Sequence, residues 1–426
     1  MAGKLAGVIS EIVGSVPIRI RAWDGSEAGP AGPPTVVIRS RRALRRLLWD
    51  PNELGLARAF VAGELDVEGD LEQALARGWA LLRAGGDERR TLSAGRRASL
   101  AARAARLRIV GPRPSAPSQE AKLSGRLHTR RRDAAAISFH YDLGNEFYAA
   151  LLDETMAYSS AYWVREDPSY TLADAQRDKL DLICRKLGLA PGVRLLDVGC
   201  GWGSLILHAA RHYGVRATGI TLSEQQRSHI AGVVESEGLG TLVTVRRQDY
   251  RELPDGPSDA VASIEMGEHV GDEQYPEYAA TLTRMVRPGG RVLIQQMSRG
   301  GVAPGGGEFI ERYIAPDMTM RPLGSTVSLL EDAGLEVRDV ESLREHYVRT
   351  ARAWAGTLQR RHEDMVRASD EATVRVWRLY LAGGALSFAE NRMSVHQILS
   401  VRPTAEGMSG FPATRRGWAK PVTPRL

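Results

Sequence analysis

Three glycines at alternate positions, Gly199, Gly201 and Gly203 in "LLDVGCGWG" (Leu195 to Gly203), are the first residues whose spacing implies chemistry. Glycine there lets the backbone approach a ligand that side chains would exclude. The spacing is G-x-G-x-G and departs from the G-x-G-x-x-G of a pyrophosphate-binding loop. Asp197 stands just ahead of the loop, and Asp249 ends a later apolar run. A class I S-adenosylmethionine (SAM) site fits these residues better than a dinucleotide site. One generic feature is missing: Thr221 stands where many such enzymes place an acid for the ribose.

A second concentration of chemistry precedes the loop. "HYDLGNEFYAALLDETMAYSSAYW", His140 to Trp163, gathers Tyr141, Phe147, Tyr148, Tyr158, Tyr162 and Trp163 in a chain that is 6% aromatic. Ring faces attract cations within about 6 Å, so rings beside a sulfonium cofactor and an apolar chain could serve both. Phe147, Tyr148, Tyr162 and Trp163 are also expected to contribute to the core.

The elements that must position these residues alternate between strand and helix. "VRLLDVG" reads as a strand and "SLILHAARHYG" as a helix. "VRATGITLS" is a second strand, and Ser223 with Gln226 has the spacing of a capping box opening the next helix. "TLVTVRRQD", "SDAVASIEMG" and "RVLIQQMS" supply three further strands, the last entered through "RPGG". This alternation predicts an α/β, Rossmann-like class I methyltransferase domain over 136–426, with its ligand crevice at the strands' C-terminal ends. Residues 1–85 predict a small α+β domain. "VPIRIRAWDGSEAGPAGPPTVVIRS" holds two strands around a Gly/Pro turn, and "RALRRLLWD" and "LEQALARGWALLRA" have helical spacing. Residues 86–135 read as a basic linker.

Charge supports a particular kind of partner. The 426 residues carry a net charge of +6, yet Gly86 to Arg132 alone holds 13 Arg/Lys against 3 Asp/Glu. That asymmetry points to an anionic surface, phospholipid headgroups or nucleic acid. With 43% hydrophobic and 25% charged residues the composition is that of an ordinary globular protein. No run of about 18 uncharged apolar residues predicts a membrane span. The first residues, "MAGKLAGVISEIVGS", lack a long apolar core, so a secretory leader is not expected. Cys184 and Cys200 are too few for a disulfide scaffold or a zinc site, and a cytoplasmic location is expected.

Six collinear strings, "HYDLGNEFY", "YSSAYW", "LLDVGCGWGS", "GITLSEQQ", "GEHVG" and "RPGG", resemble the cyclopropane-fatty-acyl-phospholipid synthase family and the related mycolic acid methyltransferases. The resemblance runs over about 136–400, and more weakly over the N-terminal domain through "LGLARAFVAGELDVEGDLE". In that family Thr-Leu-Ser-x-x-Gln replaces the usual ribose acid. The resemblance implies SAM contacts from Tyr158 and Ser159, the loop Leu195 to Gly203, Thr221, Leu222, Gln226, Tyr250, and Ile264 near the adenine. Asp249 joins them on its strand-end position alone.

The resemblance further implies methyl transfer to the double bond of an unsaturated acyl phospholipid. Relatives hold a bicarbonate ion as proton acceptor. The matching positions are Glu268, Tyr347, Ser160 where relatives have Cys, and Gln295 where they have His. Losing the imidazole and the thiol favours a methylene-branched acyl chain, a tuberculostearic-type precursor, over a cyclopropane. The basic stretch implies peripheral attachment to an anionic membrane, and the resemblance implies homodimer pairing through the N-terminal domain and a separate reductase acting on the product. A small-molecule methyltransferase would leave the six strings and the basic linker unexplained. A nucleic-acid methyltransferase lacks its Asn/Asp-Pro-Pro-Tyr-like motif, because "IEMGEH" follows the fourth strand. The glycine loop, Glu268 and Tyr347 argue against a non-catalytic lipid-binding protein.

Overall fold

The computed structural model describes residues 17–84, 107–121, 143–254, 256–300 and 307–415, with a few single residues between them. His140 and Tyr141, and most of the basic stretch 86–135, lie outside the described residues. By compactness the chain divides into two units. The first comprises Met1–Ala121, Glu308–Tyr313 and Ser369–Leu386, and the second Lys122–Gly307, Ile314–Ala368 and Ser387–Leu426.

The first unit is built on a four-stranded sheet. Strands β1 (Arg19–Ala22), β2 (Glu27–Ala28), β3 (Thr35–Ile38) and β4 (Leu65–Glu68) lie in the order β2-β1-β3-β4. The two strands flanking the Gly/Pro turn are β1 and β3, and they pair in parallel, with the short β2 as an antiparallel edge. Helices Arg41–Trp49 and Leu71–Ala84 match the helical spacing of the sequence. Ile20, Ile38, Ala43, Phe60 and Val67 fill the core between sheet and helices.

This unit draws on residues that the boundary at 85 left out. Glu120, from the expected linker, is buried and accepts from Arg58 Nε and Nη2. Arg46 Nη1 donates to the carbonyl of Ser115 over 2.8 Å. Arg375 is buried, pairs with Asp66 at 3.2 Å and donates to the carbonyls of Phe60 and Leu65. Buried polar groups need such partners, and local sequence patterns do not reveal partners about 300 residues away.

The second unit holds a seven-stranded sheet. Strands β5 (Arg194–Val198), β6 (Arg216–Thr221), β7 (Val243–Arg247), β8 (Ser258–Ile264), β9 (Val286–Ser298), β10 (Glu336–Ser342) and β11 (Ser394–Val401) take the order β10-β11-β9-β8-β5-β6-β7. The five strands read from sequence, β5 to β9, are the parallel ones. The sequence reading lacked β10 and β11. They pair antiparallel with each other, and β11 pairs antiparallel with β9. Strand order reverses at β5, and the crevice opens there, at the carboxyl ends of β5, β6 and β8. Leu195, Leu205, Ile206, Ala217, Ile230 and Leu293 pack the sheet against its helices.

Candidate active site

Gly199 and Gly201 show why the loop after β5 needs glycine. Both have positive φ, +83° and +53°. A Cβ on Gly199 would meet Met266 Cγ at 2.8 Å, whereas one on Gly201 would enter open space. The backbone at Gly201 is therefore bare on the side that faces the cavity. Gly203 does not line that cavity. It caps the helix Ser204–Tyr213, and its Cβ would strike Ile230. Its glycine serves packing, which alternate spacing alone does not distinguish from ligand approach.

The cavity holds about 1300 Å³ of empty space counted out to its mouth. Of the residues read as cofactor contacts, Tyr158, Ser159, Asp197, Gly199, Gly201, Thr221, Leu222, Gln226, Asp249, Tyr250 and Ile264 all line it. Two buried polar atoms there are unpartnered, Asp197 Oδ1 and Gln226 Nε2. Gln226 stands beside Thr221, the position where the ribose acid is missing. Thr221 Oγ1 donates to Gln226 Oε1 over 2.6 Å, which leaves the amide nitrogen as the free donor. The capping box is thus half made: Ser223 accepts from Gln226 N, while the Gln226 side chain turns to Thr221. Asp249 lines the cavity, but its carboxylate is held by Arg251 at 2.6 and 2.8 Å. An unpartnered acceptor, an unpartnered donor and a bare loop fit the ammonium, ribose and close approach of SAM.

Burial pushes the carboxyl of Asp197 up to about 7, and the charge of Lys179 opposes this. Lys179 is itself fully buried, lines the cavity, and donates to Ser159 Oγ over 2.9 Å. Desolvation lowers its ammonium to about 8 against the pull of Glu265, Asp153 and Asp197. The backbone around Tyr158 is pinned from behind, because Gln176 Nε2 donates to the carbonyls of Ala157 and Ser159.

The rings form a connected string. Tyr148 and Trp202 lie 4.5 Å apart between centroids, Tyr148 and Tyr158 5.6 Å, and Tyr158 and Trp354 5.4 Å. Tyr347 continues it, 6.2 Å from Trp354 and stacked at 4.4 Å on Phe388. Phe147 and Tyr148 are fully buried core. Tyr162 stacks on His346 and bonds Glu341, and the indole of Trp163 donates to Thr350.

Ser160, Gln295 and Tyr347 converge on one carboxylate, and it belongs to Glu265. Ser160 N donates to Glu265 Oε1 over 2.8 Å, Gln295 Nε2 to the same oxygen over 2.7 Å, and Tyr347 OH to Oε2 over 2.7 Å. The hydroxyl of Ser160 turns to the carbonyl of Ala161. Glu268 does not line the cavity. It is wholly buried, neither of its oxygens has a side-chain hydrogen-bond partner, and burial followed by the nearby charge of Glu265 lifts its carboxyl to about 8 against the backbone N–H groups of Glu268 and Met297 and the charge of Arg321.

Residues 128–398 match the family model of the mycolic acid cyclopropane synthetases. The chain belongs to that family. It is 38% identical over 411 residues to a probable fatty acid methyltransferase of Pseudomonas putida, covering 94% of this chain and 95% of that one. It is 32% identical to the tuberculostearic acid methyltransferase of Mycobacterium tuberculosis, over 91% of this chain and 88% of that one. A cyclopropane synthase structure from Mycobacterium tuberculosis superposes with a TM-score of 0.60 at 29% identity, covering 65% of this chain and 99% of that one.

Two site residues of this family member escaped sequence reasoning, Glu265 and Lys179. Both left a signal. Glu265 directly follows the apolar run of β8, at a strand end where ligands sit. Lys179 falls in the buried stripe Ala175, Ile183, Leu187 of the helix Leu172–Leu187, where a lysine is out of place. Three of the four positions that family resemblance assigns to bicarbonate have their donors on Glu265. This donor set does not fit a bicarbonate.

Proposed function

We propose that this chain is a SAM-dependent methyltransferase that acts on the double bond of unsaturated fatty acyl chains carried by phospholipids. We infer further that its product is a methylene-branched acyl chain. The observation that carries this reading is the meeting of two features at Tyr158. Its ring lines the nucleoside cradle and also belongs to the string of rings running to Trp354 and Tyr347.

When bound, SAM supplies an electrophilic methyl group. Gly201 would let the backbone approach it, Asp197 would accept from its ammonium, and Gln226 Nε2 would donate to a ribose hydroxyl oxygen, with Tyr250 and Ile264 beside the adenine. An alkene is a weak nucleophile and needs no base to begin. The charge that develops on the acyl chain is positive, and the faces of Tyr158 and Trp354 are suited to stabilise it.

Gln295 favours the methylene product. Its Oε1 accepts from Gln397 Nε2 over 3.0 Å, so its nitrogen faces Glu265 and it can only donate there. An imidazole at that position could relay a proton. An amide cannot, and the cation persists long enough for a hydride shift. The structural likeness to cyclopropane synthases supports the second reading, ring closure on the same substrate. Incubation with labelled SAM and oleoyl phospholipid, then proton NMR of the purified esters, decides between them. Vinylidene signals far downfield support the methylene, and upfield-only ring signals overturn it. A methylene product would next require a reductase.

The first unit carries a surface suited to an acidic bilayer. Leu48 and Trp49 are 56% and 52% exposed at the end of the helix Arg41–Trp49, which also carries Arg41 and Arg42 on its exposed side. The Trp49 indole donates to the carbonyl of Gly111, beside the exposed Val110. No helix among the described residues is long and apolar enough to cross a membrane. An exposed ring with apolar neighbours, on a helix that also exposes arginines, suits peripheral attachment.

A further inference from the structure

We propose that Glu265 is the proton acceptor of this enzyme, a carboxylate built into the chain that does the work of a dissolved anion. The inference rests on the methyl-transfer reading above.

Its placement is deliberate in backbone terms. β8 ends at Ile264, and Glu265 N donates to the carbonyl of Gln295 over 2.6 Å. Glu265 then adopts φ +52°, left-handed backbone that glycine favours and a glutamate rarely takes. Such a conformation costs about 1 kcal/mol or more and persists where surrounding contacts over-determine it. Those contacts are the three donors. Oε1 receives two hydrogen bonds and Oε2 one, so of roughly four lone-pair sites on a carboxylate one remains, on Oε2. Glu265 also lines the cavity. The remaining lone pair belongs to a group in reach of whatever the cavity holds.

The neighbouring groups decide which carboxyl is charged. Glu265 and Glu268 are both in the protein interior, and burial raises both. Glu265 has three donors and the ammonium of Lys179 to favour its ionised form, while Glu268 has no side-chain donor and only the more weakly acting backbone N–H groups of Glu268 and Met297 and the charge of Arg321. A pair whose environments differ this way separates into one ionised base and one neutral acid. Glu265 is the base. Its raised affinity for protons, relative to an ordinary carboxylate, makes it a better acceptor near neutral pH. Gln295 cannot compete for the proton, because Lys186 Nζ donates to Gln397 Oε1 and Gln397 Nε2 to Gln295 Oε1, leaving only N–H toward Glu265.

The step balances. After methyl transfer the acyl chain carries one positive charge and Glu265 one negative charge. For the methylene, a hydride first moves from the methyl-bearing carbon to its cationic neighbour, and a methyl C–H bond then breaks, its electron pair becoming the new C=C bond. For a ring, the methyl C–H bond breaks without the shift and its pair closes the C–C bond to the cationic carbon. The proton goes to Glu265 Oε2. A neutral product and a neutral carboxylic acid result, and the acid returns its proton to water once the product leaves.

Three proteins test this: the wild type, E265Q and E265G. Glycine suits the positive φ and removes the carboxylate, leaving three donors around a space near the size of a bicarbonate. In buffer stripped of inorganic carbon the wild type keeps full activity, and E265Q loses about 100-fold or more in kcat while SAM affinity stays within about threefold. E265G is equally slow and recovers on addition of millimolar bicarbonate or formate. A readout independent of turnover accompanies these: carbon-13 NMR of labelled bicarbonate with SAH-loaded protein, where E265G broadens the signal and the wild type does not. Bicarbonate binding by the wild type, a bicarbonate requirement for its activity, or E265Q within tenfold of the wild-type rate would each overturn the proposal. So would an E265G that binds SAM normally yet neither takes up nor responds to the anion. If instead the wild type methylates no acyl chain, the functional reading fails, and the NMR comparison still decides where the anion sits.

Discussion

Gln397 on β11 donates through its amide to Gln295 on β9, and this antiparallel neighbour sets which end of Gln295 faces Glu265. Lys186 fixes Gln397 in turn. Replacing Gln397 by Met removes the relay without adding bulk and lets the Gln295 amide turn over. Its oxygen would then face the Glu265 carboxylate. A hydrogen bond to a charged group is worth about 1.5–3 kcal/mol, so kcat is expected to fall about tenfold or more in Gln397→Met. SAM affinity, measured by calorimetry, should not change. An unaltered kcat would mean that Gln295 holds its orientation unaided.

Gly201→Val places a branched side chain in the open space of the cavity. SAM affinity should fall by at least about tenfold. The melting temperature should drop only modestly, because the new atoms meet no protein and the cost is the positive φ, roughly 1–3 kcal/mol. Gly199→Ala is the contrasting case: its Cβ meets Met266, so binding and stability fall together.

SAM binding should depend on pH through Asp197. Its carboxyl, raised to about 7, is largely protonated in the free protein at pH 5.5 and would have to ionise for the proposed pairing with the cofactor's ammonium. Affinity is therefore expected to rise between pH 5.5 and 7.5 and then flatten. Asp197→Asn should bind more weakly, with little slope over that range. Titration calorimetry at four pH values reads both.

Glu268 links stability to pH in the opposite sense. Its folded-state value of about 8 lies above the ordinary carboxylate value of 4.5, so the folded ligand-free protein holds a proton that the unfolded chain releases. The stabilisation is fully present below about pH 4.5 and is lost as pH rises toward 8, at up to roughly 1.4 kcal/mol per pH unit. Glu268→Gln should reduce the slope in urea unfolding of the ligand-free protein by up to that amount, leaving the share that Asp197 and Glu265, also raised by burial, contribute in the same direction. An identical slope in the variant would place the linkage elsewhere.

Attachment to membranes is testable on the first unit. The wild type should sediment with anionic vesicles, less so as salt rises, since each basic residue near such a surface contributes about 1 kcal/mol and screening acts beyond roughly 10 Å at 0.1 M. Trp49→Glu should weaken sedimentation. Equal sedimentation on neutral and anionic lipid would sink the idea.

The glycine loop, the Ser223 cap and the five parallel strands were legible because each is a local pattern of spacing and period. The candidate centre was half legible. Ser160, Gln295 and Tyr347 could be placed by resemblance, yet the group they serve could not. Glu265 was in view in "SIEMGEH", but Glu268 three residues on matched the family's pattern and drew the assignment. What separates them is the direction of the chain after Ile264, a positive φ that no propensity of glutamate predicts. The strands β10 and β11 escaped for a related reason. β10 is a half-exposed edge strand before a long helical stretch and β11 a buried strand after it, and their pairing is antiparallel in a pattern that had announced parallel order.

Arg375 has a consequence for how the molecule comes into being. The smaller unit joins Asp66 and the carbonyls of Phe60 and Leu65 to one buried guanidinium that follows them by some 300 residues. Domains ordinarily fold in the order of synthesis, at about 5–20 residues per second. This one cannot finish that way. Its sheet can gather early on the ribosome, but it waits, over several tens of seconds, for the segment Ser369–Leu386 to emerge. A chain terminated before that segment would lose the N-terminal unit as well as its own end, so a late stop codon should read out as early misfolding.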